Sequence, residues 1–476
     1  MAERLTSEQA SVIDYGYKGY NVLTMGKAGV GKSLTIQQLR EQLGAVKTIV
    51  LTGPTGVAAG IINGQTYHSA FGIGIGQGTK EQLLDVSRTN KKAREILELE
   101  NLAIIFDEMS MISAEMFDTL DYIARNIRKR IYEPFGGIQI FLFGDMHQLS
   151  PFDQDPNKAV HYIFHSKVWA QMFYNFTSPL NGKIVVLSKI FRQRDDADYM
   201  EFLDELRVCR LTDKGRQTLL RLSNPFKVEG EFADMYTRLY CTREEVGKEN
   251  DARLAQLPGE PIYYEAKDTG APTYLSGANR YFIVPDKLYL KKGALVMLLK
   301  NMSDIGLING SLGKVIGFEK HIDKGVEKNY PVVRFTDGQV LLLKEATWDI
   351  RNSPRGKPVL TRKQIPLALA YATTIHKAQG LTLERVIADM RRWFTVEQPY
   401  VAATRARSSK YIQIINFNLT NFRPNVELDE FDAKILGIVQ TGTVTLYRNP
   451  QQKSESDDEE DDLTDDLEFQ LSLAGD

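Results

Sequence analysis

The run Gly26-Lys27-Ala28-Gly29-Val30-Gly31-Lys32-Ser33 constrains the fold more than any other stretch of the chain. It satisfies G-x-x-x-x-G-K-[ST], the P-loop pattern. Asn21-Val22-Leu23-Thr24-Met25 before it reads as a strand, and Leu34, Ile36, Leu39 and Leu43 after it recur at helical spacings. A strand, a glycine-rich turn and a helix in that order form a phosphate cradle. Backbone N–H groups close around phosphate oxygens, and the helix N-terminus adds positive potential. Lys32 can reach the β- and γ-phosphates, and the Ser33 hydroxyl can ligate Mg²⁺. The motif demands an α/β fold and leaves the reaction open.

A second strand supplies the acids such a site needs. Ala103-Ile104-Ile105-Phe106 is a buried-type strand that ends in Asp107-Glu108, a Walker B arrangement. Asp107 can hold Mg²⁺, and Glu108 can orient or activate the attacking water. Gln148 follows another buried-type strand, 138–143, where it can sense a γ-phosphate. Residues 48–52 form a further strand, and Gly53-Pro54-Thr55-Gly56 then turns sharply. Open α/β sheets bind ligands at strand C-termini. Thr52 and Thr55 can therefore hold phosphates, or the segment is plain turn chemistry. Gln65-Thr66-Tyr67-His68-Ser69 has the same two readings. Thr6-Ser7-Glu8-Gln9 reads as a capping box, so Gln9 is either that cap or an adenine contact.

Met116, Leu120, Ile123 and Ile127 predict an amphipathic helix over 114–131, stopped by Pro134 and Gly136-Gly137. Arg192, in Phe191-Arg192-Gln193-Arg194, is either an arginine finger or a surface charge. Residues 261–365 change character: short apolar runs separated by turns predict a small β-barrel or sandwich inserted into the α/β body. Thr373 to Gly380 is dense in groups that bond phosphate, and Tyr400 to Arg407 reads as a helix carrying arginines. His147, His161 and His165 have no companions at a metal-ligand spacing.

The length of 476 residues allows about three domains. No apolar run is long enough to cross a membrane, and Met1-Ala2-Glu3-Arg4-Leu5-Thr6 lacks a signal peptide's apolar core. Cys209 and Cys241 form no redox or metal spacing, which suits a reducing compartment. The net charge of −2 hides an asymmetry: residues 454–476 hold 11 acids and no Lys or Arg. The remaining 50 acids face 59 basic residues, a surplus of nine positive charges. A basic body with an acidic tail suits a nucleic-acid partner. The tail reads as disordered, and its end, Leu467 to Leu473, is either a docking peptide or inert.

The order of these clusters resembles the petite-integration-frequency (PIF) helicases, the 5′-to-3′ branch of helicase superfamily one, over nearly all of residues 5–417. The signature lies between Walker B and the next motif: Met116-Phe117-Asp118-Thr119-Leu120-Asp121 with Ile123-Ala124-Arg125, then Pro134-Phe135-Gly136-Gly137-Ile138-Gln139. The resemblance implies an adenine-reading Gln9, phosphate and Mg²⁺ binding through Lys32 and Ser33, and Asp107 and Glu108 as Mg²⁺ ligand and catalytic base. It implies that Gln148 links the γ-phosphate to DNA and that Arg192 and Arg405 reach the γ-phosphate from the second motor domain. Thr52, Pro54, Thr55, Thr66 and His68 match DNA-contacting segments of the first motor domain. Thr374, His376, Lys377 and Gln379 match those of the second. The β-rich insertion resembles a Src-homology-like barrel. The chain departs from the usual pattern at Met146, Ser150 and Thr404, where the family favours phenylalanine, proline and serine. None of these removes a catalytic group.

The expected architecture is α/β, with two RecA-like P-loop motor domains and a small β-barrel insertion in the second. The first spans 1–186, with a small insertion near 66–100; the second spans 187–260 and 366–450; the barrel spans 261–365; and 451–476 is the tail. The expected function is ATP- and Mg²⁺-dependent DNA unwinding, with single-stranded, forked or overhang duplex DNA as partner and a monomeric state. The alternative is an ATP-driven RNA or DNA translocase or loader without unwinding. A replication protein is the expected partner of the tail. The expected compartment is cytoplasmic for a prokaryotic, phage or viral source, and nuclear for a eukaryotic one.

Overall fold

In the computed structural model of the chain, the residues described are 5–74, 76–151, 159–174, 182–225, 235–280, 282–302, 305–307, 309–323, 326–351 and 358–441. The acidic tail lies outside them. Six parallel strands form the first sheet: β1 (Val22–Met25), β2 (Thr48–Gly53), β3 (Gln65–Thr66), β4 (Leu102–Phe106), β5 (Gln139–Gly144) and β6 (Lys183–Val186). Their order is β3-β2-β4-β5-β1-β6. β1, β4 and β5 are buried along their whole length. They read as continuous apolar runs because helices cover both faces of the sheet. One face packs Ile36, Leu39 and Leu43 of the P-loop helix with Ile49, Leu51 and Phe141. The other packs Phe106, Phe117, Phe135 and Trp169. The segment near 66–100 supplies three helices, Tyr67–Ala70, Lys80–Thr89 and Lys91–Leu97.

A second parallel sheet has four strands in the order Ala372–Thr374, Thr237–Tyr240, Val386–Asp389, Ile412–Ile415. It carries its own core, including Tyr199, Phe202, Leu206, Leu239 and Val401. Between its strands in sequence lies a five-stranded antiparallel sheet built from Leu295–Leu298, Leu312–Asp323, Val326–Phe335, Val340–Leu342 and Leu367–Leu369. A register shift between Val315 and Gly317 breaks its longest pairing. Such a bulge bends a strand and sharpens its twist. The closing strand Leu367–Leu369 starts just past the boundary expected at 365.

Two elements differ from the sequence reading. The helix expected across Tyr400 to Arg407 stops at Ala403. Arg405 instead turns its guanidinium onto the carbonyls of Val401, Ala378 and Leu381 and caps the segment. The helix Val426–Thr441, which falls within the range assigned to the second motor domain, buries Leu428, Phe431, Ile435 and Ile438 in the core of the first sheet. Phe431 stacks on Phe164 at 4.3 Å, so aromatic contact draws the chain end back to the first fold.

Candidate functional site

The P-loop runs from the end of β1 into the helix Lys32–Leu43. Gly29 and Gly31 take φ of 84° and 85°, a left-handed conformation open to glycine. The loop is also tightly packed. A Cβ at Gly31 would lie 2.8 Å from Gln9 Nε2, and one at Gly29 would lie 2.9 Å from Arg192 Cβ. Lys32 Nζ donates to the carbonyls of Gly26 and Lys27 at 2.6 and 2.9 Å. Burial lowers its pKa, and Asp145, Glu108 and Asp107 oppose that shift. The Ser33 hydroxyl is exposed at the helix start. Gln9 forms the expected capping box, its Oε1 accepting from Thr6 N–H at 2.9 Å, and its Nε2 donates to the P-loop carbonyl Gly31 O at 3.4 Å.

Asp107 and Glu108 sit at the end of β4, both buried. Burial raises the Asp107 pKa well above the ordinary carboxylate range, and the neighbouring Glu108 charge adds to it. Glu108 adopts φ 52°, ψ 48°, a strained conformation for a side chain of its size. Its Oε2 is buried without a hydrogen-bond partner. Such an atom is costly unless a ligand group satisfies it. A Cβ on Gly380, from the second fold, would lie 4.0 Å from Glu108 Oε1. Gln148 is buried three residues past Asp145. Burial opposes ionisation of Asp145, but Arg207, then Lys32 and His147, hold its carboxyl far below the usual range.

The second fold brings two arginines to this cleft. Arg192 donates to Thr404 O at 3.1 Å. Burial lowers its pKa to about 9, with Arg405 and Arg407 contributing, so it stays charged at neutral pH. Arg405 is 2% exposed and bonds Val401 O, Ala378 O, Leu381 O and the Thr404 hydroxyl. The Glu108 charge opposes the lowering of the Lys32, Arg192 and Arg405 pKa values by burial.

The residues matched to DNA contacts differ in their surroundings. Thr55, Thr66 and Thr374 cap short helices, accepting from the N–H of Ala58, Ser69 and Lys377. Thr52 is fully buried, and its hydroxyl donates to Ile105 O inside the sheet. His68 stacks on Tyr67 at 4.2 Å, and burial pushes its pKa down to about 4. Pro54 is half-buried beside Thr55, and burial lowers the pKa of His376 and Lys377. Gln379 is 4% exposed, and both polar atoms of its amide lack partners. Its place next to Gly380 sets it near Glu108.

Three residues of the cleft escaped the sequence reading: Tyr400, Arg207 and Asp432. The Tyr400 hydroxyl bonds both the P-loop and Asp145, and Arg207 bonds Asp145 and Asp432. One local signal existed, since Asp145 ends a buried strand as Asp107 does. Its partners on the second fold, Arg207 and Tyr400, lie 62 and 255 residues away, beyond any spacing rule.

The donor set fits a Mg²⁺–nucleotide. The exposed Ser33 hydroxyl and Asp107 are hard oxygen ligands, and the unpartnered Glu108 Oε2 can accept from water. Fold and site together define a P-loop protein with two RecA-like folds facing one cleft. Residues 4–214 match the family described as PIF1-like helicase, and 274–318 match the 2B domain of the DNA helicase Pif1. The ATP-dependent DNA helicase PIF1 of Xenopus laevis is 36% identical over 90% of this chain and 64% of its own length. The crystal structure of Pif1 helicase from Candida albicans matches at 33% identity and a TM-score of 0.72, covering 90% of this chain and 99% of that one. The Bacteroides Pif1 structure in complex with ADP-AlF3 and ssDNA matches at 26% identity and a TM-score of 0.63, covering 94% and 100%. The chain belongs to the PIF1-like helicase family. It spans about three-fifths of the length of the curated PIF1 relatives it matches.

Proposed function

We propose that this chain is an ATP-dependent DNA helicase that moves 5′ to 3′ on single-stranded DNA and opens duplex DNA. One observation carries the reading: the two folds close on the P-loop and its acid, with Arg192 packed against Gly29 and Gly380 of the second fold set beside Glu108 Oε1. A base, a phosphate-binding lysine and two transition-state cations then meet only when both folds adjoin. The P-loop amides and Lys32 bind the β- and γ-phosphates, and Gln9 orients the adenine. Ser33 and Asp107 hold Mg²⁺, which neutralises phosphate charge when bound. Glu108, unpartnered at Oε2, orients the attacking water, and Gln148 reads the γ-phosphate. Arg192 stabilises charge that develops on the transferring group. Arg405, held by four acceptors, acts from a fixed position.

DNA crosses the strand ends of both sheets in this reading. Pro54, Thr55, Thr66 and His68 line the first fold, and Thr374, His376, Lys377 and Gln379 the second. Thr52 supports that surface from within the sheet. Such contacts are to phosphates and base faces, tolerant of sequence and weakened by salt. The acidic tail is the docking segment for a replication protein, and the motor works as a monomer in a cytoplasmic or nuclear compartment. No described helix is long and apolar enough to cross a membrane.

The deciding experiment is ATP-driven displacement of a labelled strand from two matched duplexes, one with a 5′ and one with a 3′ overhang. Displacement from the 5′ overhang alone is expected. Displacement from the 3′ overhang alone refutes the polarity, and turnover without displacement on either refutes unwinding. Stronger stimulation of turnover by RNA than by DNA refutes the substrate.

A further inference from the structure

Two residues of the second fold converge on one carboxylate of the first. Asp145, at the end of β5, is fully buried. Tyr400, on the helix Gln398–Ala403, donates its hydroxyl proton to Asp145 Oδ2 at 3.0 Å. The same hydroxyl oxygen accepts from the P-loop N–H of Ala28 at 3.1 Å. Arg207, the last residue of the helix Ala197–Arg207, sets Nε and Nη2 at 3.0 and 2.9 Å from Asp145 Oδ1. Its Nη1 lies 2.7 Å from Asp432 Oδ2, on the helix Val426–Thr441. His147 Nε2 is 3.0 Å from that oxygen. Asp145 and Asp432 both ride on the first fold, so it grips one guanidinium of the second between two carboxylates.

This arrangement tolerates little displacement. A side-chain pair drawn apart to about 3.6 Å no longer counts as a hydrogen bond. A buried ion pair is favourable only with complete geometry, because desolvation opposes it. The Tyr400 hydroxyl needs the P-loop, β5 and its own helix in place at once. Tyr400 also precedes Arg405 by five residues, so the segment that carries one arginine of the cleft carries the bridging hydroxyl.

We propose that Tyr400 and Arg207 are positioning residues forming a closure latch. They dock the second motor fold on Asp145 when the cleft shuts. Docking sets the P-loop at Ala28 and the strand end carrying Gln148 in register for turnover. The latch rests on the motor reading above and adds to it a mechanism by which closure is felt at the P-loop.

The test uses the full chain with Tyr400→Phe, which keeps the buried ring and removes the hydroxyl. Single-stranded-DNA-stimulated ATP turnover is expected to show a kcat lowered about tenfold, with KM for ATP changed less than about twofold. Arg207→Lys, which keeps charge without the fork, is expected to act in the same direction. The double variant should lose less than the product of the two single losses, because both act through one docked state. Equal changes in KM and kcat, or losses that multiply, overturn the latch. A second readout does not depend on turnover. Dyes at Val46 and Leu220, exposed on the first and second folds, report closure on adding a non-hydrolysable ATP analogue. Closure that Tyr400→Phe leaves unchanged overturns the latch. Absence of DNA-stimulated turnover in the unaltered chain instead counts against the motor reading.

Discussion

At the scale of single residues, charge and burial decide what each group can do. Lys32 is held by two carbonyls of its own loop and faces Asp145, Glu108 and Asp107. Lys32→Ala is expected to abolish ATP turnover and leave binding of a labelled single strand within about twofold, since no proposed DNA contact involves it. Arg192→Ala should lower kcat by about a hundredfold or more while nucleotide affinity changes far less, because a finger acts on charge present in the transition state. Equal loss in both would make it a binding arginine. His68 offers a pH test. Burial moves its pKa from 6.5 to about 4, so the unfolded chain takes up a proton from pH 6.5 downward while the folded chain does not. Its contribution is absent above pH 6.5, and stability falls by about 1.4 kcal/mol per unit between 6.5 and 4. His68→Gln should flatten that slope in urea melts taken across the window.

At the scale of elements, the stretch that most resembles the family proves to be a structural device. The helix Ala114–Arg128 and the turn Pro134–Gly137 are joined by Asp121, which accepts from Phe135 N–H and from Arg125 Nε. Phe135 sits at φ 49° and is fully buried, 5.0 Å from Phe117 and 6.2 Å from Phe106. The turn therefore delivers the chain into β5 at a fixed height, and Asp145 and Gln148 follow the end of that strand. Asp121→Ala should cost about 2 kcal/mol in denaturant unfolding, and Phe117→Ala about 3–5 kcal/mol. This scale also shows what a sequence discloses. The P-loop, the acid-tipped β4 and the β-rich character of the insertion were legible because each is a local pattern with a local cause. The end of the helix before Arg405 was not, because long-range acceptors at Ala378 and Leu381 stop it. The same holds for Thr52, whose hydroxyl looks free beside a turn but bonds across to β4. Arg207 and Asp432 carry no motif, and only folding brings them together.

At the scale of the whole molecule, charge is divided between a basic body and an acidic end. Removing residues 454–476 should leave the unfolding midpoint unchanged, and a rise in affinity for single-stranded DNA at low salt would mark the tail as an electrostatic competitor for the DNA surface. The gain should vanish near 1 M salt, where screening acts within about 3 Å. Unaltered affinity at low salt would mean the tail does not compete for the DNA surface. The return of the helix Val426–Thr441 to the first fold has a mechanical consequence. The second fold is entered through 187–196, held by Ser188 on Glu8 and Phe191 N–H on Gly29 O, and left through 416–425, held by Asn425 on Tyr162. A body joined to its neighbour by two chain passages turns most readily about the line between them, like a gate on a pair of pins. Displacement then grows in proportion to distance from that line. A small turn at the pins becomes a longer stroke at the far strand ends, and cutting either passage would turn the gate into a loose flail.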